Sequence, residues 1–169
     1  VQKAAKLLAG AKRPVIVAGG GVILADASHE LVALAEHLGI PVVTTWMGKG
    51  AIPEGHDLNG WSVGDTASTS GNTLAANADV VLSVGCRFVD WSASSYRAGV
   101  SFTIPPSALI QIDIEPREIG KNYPVAVGLE ADAKAALRDL HAAVGDVTPA
   151  RKWRDGTYFG EIVRLKAEW

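Results

Sequence analysis

The sequence predicts a three-layer α/β domain, an open parallel sheet of five or six strands with helices on both faces. Three observations carry this. Short, continuously apolar runs such as Pro14-Val15-Ile16-Val17-Ala18 and Val80-Val81-Leu82-Ser83-Val84 recur along the chain, as strands buried on both faces require. Segments with helical apolar spacing separate them, the alternation expected of βαβ units. With 169 residues, of which 48% are hydrophobic, the chain can bury one core and is short for two.

Val1, Ala4, Leu7 and Leu8 recur at helical spacing before Gly10 and predict a short opening helix. The first strand, Pro14 to Ala18, runs into Gly19-Gly20-Gly21, read as a tight turn. A second helix follows, with Asp26 or Ser28 as its cap, Leu31, Leu34, Ala35 and Leu38 as its apolar stripe, and Gly39 as its stop. Pro41 to Thr45 is the second strand. The stretch from Trp46 to Gly64, rich in glycine and proline, reads as a long surface loop, and a helix is expected from about Thr66 to Asn77, capped by Asp65. Val80 to Gly85, Ala108 to Asp113 and Val125 to Val127 supply three further strands. A helix from about Asp132 to Val144 closes the body.

Composition changes after Gly145, which divides the chain into a body, 1–145, and a linker helix, 146–169, leading toward a further domain. Thr148-Pro149 reads as a helix start. In this reading Trp153, Tyr158, Phe159 and Trp169 need a surface from elsewhere. A sequence that opens on Val1 without an initiator Met is expected to be a piece of a longer polypeptide.

A formal net charge of −2 offers no footprint for nucleic acid or an anionic membrane. No apolar run approaches the roughly 20 residues that span a bilayer. The single cysteine, Cys86, allows neither an internal disulfide nor a thiolate metal cluster; it reads as a small apolar residue at a strand end, and a reducing cytoplasm suits it. His29, His37, His56 and His141 show no metal-ligand spacing.

Open α/β sheets bind ligands beyond the carboxyl ends of their strands. The candidates at those ends are Gly19 to Gly21, Thr44 and Thr45, Gly85, Cys86 and Arg87, and Asp113 with Glu115 and Pro116. Arg87 suits a phosphate, and Asp113 a ribose or adenine edge; alternatively the two pair with each other. The glycine turn is not a dinucleotide fingerprint, because position 24 is Leu24 and the second strand ends in Thr44-Thr45 without an acid. Gly64-Asp65-Thr66 lacks the second glycine of a diphosphate–magnesium motif. Gly60-Trp61-Ser62-Val63-Gly64 has the letters of a nucleophile elbow but falls in a loop by this reading.

Four stretches in order, Arg13 to Val22, Leu38 to Thr45, Ala78 to Phe88 and Ile112 to Asn122, together with the body up to Val144, resemble the middle domain of acetolactate synthase and its thiamine-diphosphate relatives. The resemblance implies a Rossmann-like domain that makes no catalytic step and packs between an N-terminal domain carrying the activating glutamate and a C-terminal domain binding thiamine diphosphate and magnesium. It implies a parent transferase or lyase acting on 2-oxo acids such as pyruvate, assembled as a homodimer or homotetramer. It implies FAD, or another adenine nucleotide, on Gly20, Gly21, Thr44, Thr45, Trp46, Gly60 to Gly64, Gly85, Cys86, Arg87, Asp113, Ile114 and the Ala131-Asp132-Ala133 stretch, with Asp132 the polar member. The sequence departs from the flavin pattern at Ala131, where a glycine is common, and at Phe88-Val89-Asp90-Trp91, where paired acids and an arginine are common. The rival reading is a free-standing NAD-binding domain of an oxidoreductase or a deacetylase-like protein.

Overall fold

The computed structural model describes residues 1–169. In chain order the elements are α1 (Gln2–Gly10), β1 (Pro14–Ala18), α2 (Gly20–Leu24), α3 (Ser28–Leu38), β2 (Val42–Thr44), β3 (Asn59–Ser62), α4 (Thr69–Ala76), β4 (Val80–Val84), β5 (Ala108–Asp113), β6 (Val127–Glu130), α5 (Ala133–Val147) and α6 (Thr157–Glu168). The six strands form one all-parallel sheet in the order β3-β2-β1-β4-β5-β6. Crossovers leave β1 toward one edge and β4 toward the other, so right-handed connections put α3 and α4 on opposite faces, and α1, α2 and α5 pack together with α3 on its face. α6 packs beside α4. The inner strands β1 and β4 are buried at every position. A single cluster of 45 buried apolar residues joins both layers to the sheet, which makes the body one domain.

Several expectations are corrected. The long loop after Trp46 contains a further strand, β3, which pairs with β2 through a register shift between Val42 and Val43. The last strand, Val127–Glu130, starts two residues later than expected and shares only Val127 with the expected run. Neither Asp26 nor Ser28 caps α3: its N-cap is Ala27, without a side-chain bond, and Asp26 pairs with Lys134 at 2.9 Å. Ser68, not Asp65, caps α4, its hydroxyl accepting from Gly71 N at 3.1 Å. Thr148 begins no helix; it is the C-cap of α5, which runs through Gly145.

The tail finds its surface within this chain. Ile162 and Leu165 are buried, Trp153 packs on Gly39 and edge-to-face on Phe159, and the Tyr158 hydroxyl donates to the Pro14 carbonyl at 3.0 Å. Arg13 meets Glu161 with two nitrogens, at 2.6 and 2.7 Å. Of the tail's four aromatic residues only Trp169 stays largely exposed, edge-on to Trp61.

The start of this tail is tied to a histidine pair. His37 Nδ1 lies 3.1 Å from His141 Nε2, and His37 Nε2 lies 3.0 Å from the Thr148 carbonyl. A carbonyl only accepts, so His37 Nε2 holds its proton and Nδ1 accepts from His141. Burial, then the neighbouring imidazole, lowers the His141 pKa. The folded state therefore holds fewer protons than the unfolded chain below about pH 6.5, the ordinary imidazole value. This stabilisation is complete above that pH and lost as pH falls through the folded value. We expect the urea midpoint to drop between pH 7 and 5, a range above the lowered carboxylates such as Glu161 and Glu54, and the drop to flatten in His141→Gln. An equally steep drop in that variant would refute the assignment.

Candidate functional site

β1 and β4 are neighbours whose crossovers diverge, and a crevice opens beyond strand carboxyl ends at such a switch point. Here it is a cleft of about 1000 Å³ over β1, β4 and β5, extending to the start of α5. Its floor is made by glycines. Gly85 has φ +56, and a Cβ on it would sit 2.5 Å from Gly21 Cα; one on Gly21 would sit 2.6 Å from Gly85 Cα. The turns after β1 and β4 therefore touch backbone to backbone, which only glycine allows. Gly19 N donates to the Val84 carbonyl at 2.9 Å and Gly21 N to the Gly85 carbonyl at 3.1 Å. Two of the turn's three amides are thus committed to the protein itself.

The walls are largely apolar. Leu24 from the end of α2, Trp46 and Met47 after β2, Val89 and Trp91 after β4, and Ile114 after β5 all line the cleft with exposed side chains. Leu24 is 90% exposed and Met47 76%, so they carry apolar surface that the domain itself does not cover.

The polar groups are few and mostly engaged. Asp113 ends β5 and is buried; its Oδ1 accepts from Glu115 N at 3.0 Å, and its carbonyl accepts from Ala131 N at 3.1 Å. That second bond fastens the strand exit to the start of α5. Asp132 caps α5, Oδ1 accepting from Ala135 N at 3.0 Å. The Arg117 guanidinium, 2.8 Å from Glu115, holds that carboxyl down at about 2. Arg87 is exposed and bonds no acid of the chain. Burial pushes the Cys86 thiol up to about 11, which makes it a poor nucleophile near neutrality.

The structure brings Gly20, Gly21, Thr45, Trp46, Gly85, Cys86, Arg87, Asp113, Ile114 and Asp132 to this cleft. Thr44 is not among them: it is buried in β2, in register between Ala18 and Ser62. Arg87 and Asp113 do not pair. The Gly60–Gly64 stretch also stays out of the cleft, because it forms β3 and its exit. Sequence reasoning missed the apolar wall of Leu24 and Met47, and named Val89 and Trp91 only as departures from the flavin pattern.

Other motifs carry no site. Ser62 lies on a strand ahead of a helix after all, but its hydroxyl accepts from Ser68 N at 3.1 Å and meets no histidine. No group of three His, Cys, Asp or Glu side chains converges to hold a metal. No helix is long and apolar enough to cross a membrane.

The family model for the thiamine pyrophosphate enzyme central domain matches residues 1–140. Among curated relatives, a probable acetolactate synthase large subunit of Methanocaldococcus jannaschii is 46% identical over 144 residues, covering 85% of this chain and 24% of that protein. Glyoxylate carboligase of Escherichia coli O157:H7 is 42% identical, covering 81% of this chain and 23% of its own length. Sulfoacetaldehyde acetyltransferase of Roseovarius nubinhibens is 37% identical across 100% of this chain and 28% of its own. The chain thus spans about a quarter of the length of these relatives. A free-standing NAD-binding domain loses its basis, since the fingerprint is missing and the match runs through the whole sheet. The chain belongs to the family of thiamine pyrophosphate enzyme central domains.

Proposed function

We propose that this chain is the non-catalytic middle domain of a cytoplasmic thiamine-diphosphate enzyme that joins or decarboxylates 2-oxo acids such as pyruvate. The cleft over β1, β4 and β5 receives an adenine nucleotide, FAD or a smaller one. The 146–169 segment leads on to a C-terminal domain, an N-terminal domain precedes, and the parent is a homodimer or homotetramer.

The observation that carries the nucleotide reading is the cleft itself, placed at the switch point and walled by exposed apolar side chains. Flat rings suit such walls, and Asp113 offers a ribose hydroxyl an acceptor. Arg87 is the one cation at the cleft for a phosphate. Thiamine diphosphate with magnesium does not fit the residues present. Its metal needs converging oxygen ligands, and no group of three His, Cys, Asp or Glu side chains converges in this chain. Those sites belong to the other domains in this reading.

Calorimetry on the chain tests both halves. With magnesium present, thiamine diphosphate is expected to show no stoichiometric micromolar binding, and pyruvate no turnover. FAD is expected to bind with a Kd above about 1 μM, weaker than about −8 kcal/mol, because one domain offers an extended ligand part of its surface and the ordering cost stays. Tight thiamine diphosphate binding would overturn the division of labour. A nucleotide resolved at the opposite end of the sheet would overturn the cleft.

A further inference from the structure

We infer that the cleft takes the nucleoside half of its ligand and leaves the phosphates in solvent, so that added phosphate charge does not tighten binding. This rests on the nucleotide reading above and asks what the cleft's own groups can recognise.

A site that grips a phosphate offers amides, a helix N-terminus or clustered cations. Each of these is weak or already in use here. Gly19 N and Gly21 N donate to Val84 and Gly85 carbonyls. That leaves Gly20 as the turn's one remaining amide, beside Met47, whose Cβ lies 3.0 Å from where a Gly20 Cβ would sit. The helix after this turn, α2, has only five residues. The long helix whose start faces the cleft, α5, already holds an anion there, the Asp132 carboxylate on Ala135 N.

Charge points the same way. Arg87 is the only basic residue lining the cleft, against Asp113, Glu115 and Asp132. Glu115 is neutralised by Arg117, which leaves two carboxylates for one guanidinium. A diphosphate drawn in beside α5 would meet Asp132 in the position where such sites usually offer bare amides. A ring and a ribose meet the opposite conditions: Trp46, Met47, Trp91 and Ile114 for the flat face, and Asp113 for a hydroxyl.

The experiment is a titration series on the chain at low salt, where charge effects are least screened, with adenosine, AMP, ADP, riboflavin and FAD as probes. Adenosine is expected to bind within about threefold of ADP or tighter, and riboflavin no weaker than FAD. ADP binding about tenfold tighter than adenosine, or about 1.4 kcal/mol, would overturn this inference while leaving the nucleotide site standing. No binding of any probe would overturn both. Two variants separate the causes. Asp132→Asn keeps a good helix cap and removes the charge, so ADP should gain severalfold with adenosine unchanged. Asp113→Asn should weaken adenosine and ADP alike, by about tenfold. If Asp132→Asn moves neither ligand, or moves both equally, the capping carboxylate is not what excludes phosphate and the inference fails.

Discussion

Gly85→Ala is expected to lower the unfolding free energy by about 2 to 5 kcal/mol, the sum of left-handed strain and overpacking. The residue sits at φ +56, and its new Cβ would lie 2.5 Å from Gly21 Cα, 2.9 Å from Gly21 C and 3.0 Å from Gly21 N. All three are backbone atoms, so no rotamer change relieves the overlap; β1 and β4 would have to part at the cleft floor. Gly160 gives the contrast. It lies in α6, and a methyl added there would meet nothing within 4 Å, so Gly160→Ala should add about 0.5 to 1 kcal/mol through helix propensity. Urea denaturation of the two variants measures both. Equal, small effects would mean that the turns can separate at little cost.

Deleting residues 149–169 is expected to lower stability by at least about 3 kcal/mol, from the burial of Ile162 and Leu165 alone. The deletion also removes the phenol from the Pro14 carbonyl and Glu161 from Arg13, the latter a partly buried, bidentate pair. It strips Trp153 from Gly39. Thermal unfolding and binding of a hydrophobic dye report the loss and the uncovered surface around α4. An unchanged midpoint would show that the tail is a tether lying on the domain and not part of its core.

Much of this architecture was legible, for reasons that individual residues explain. β1, β4 and β5 are inner strands, and Val15-Ile16-Val17 or Leu109-Ile110 announce them because both faces need apolar groups. β3 was invisible. Asn59-Gly60-Trp61-Ser62 has no β-branched residue, and its strand character comes from pairing with β2 at the sheet edge, which propensity does not encode. Helix starts misled where an alternative partner won: Asp26 and Asp65 are good caps by type, but Asp26 turns to Lys134 and Ser68 lies nearer the first turn of α4.

At the cleft, the strand-end rule reached Gly20, Gly21, Thr45, Gly85 to Arg87 and Asp113, and the resemblance added Trp46, Ile114 and Asp132. The rule failed at Thr44, which is still inside β2, in register between Ala18 and Ser62 and buried there. The triple glycine was legible as a special turn but not for its cause, since its contact, Gly85, is far away in sequence.

That distance has a consequence for how the chain assembles. Ile16 is in register with Leu82 and Ala18 with Val84, so the central seam of the sheet joins segments made early and late. The β1–β2 pair is local, but it stays an unfinished ribbon until β4 arrives to share its inner edge. Entropy must be lost in closing that long segment before the contacts of the seam reward it. During synthesis, then, the apolar faces of Val15, Ile16, Val42 and Val43 wait uncovered for roughly half the domain, and it is in this interval, not in the finished fold, that the chain is most exposed to wrong partners.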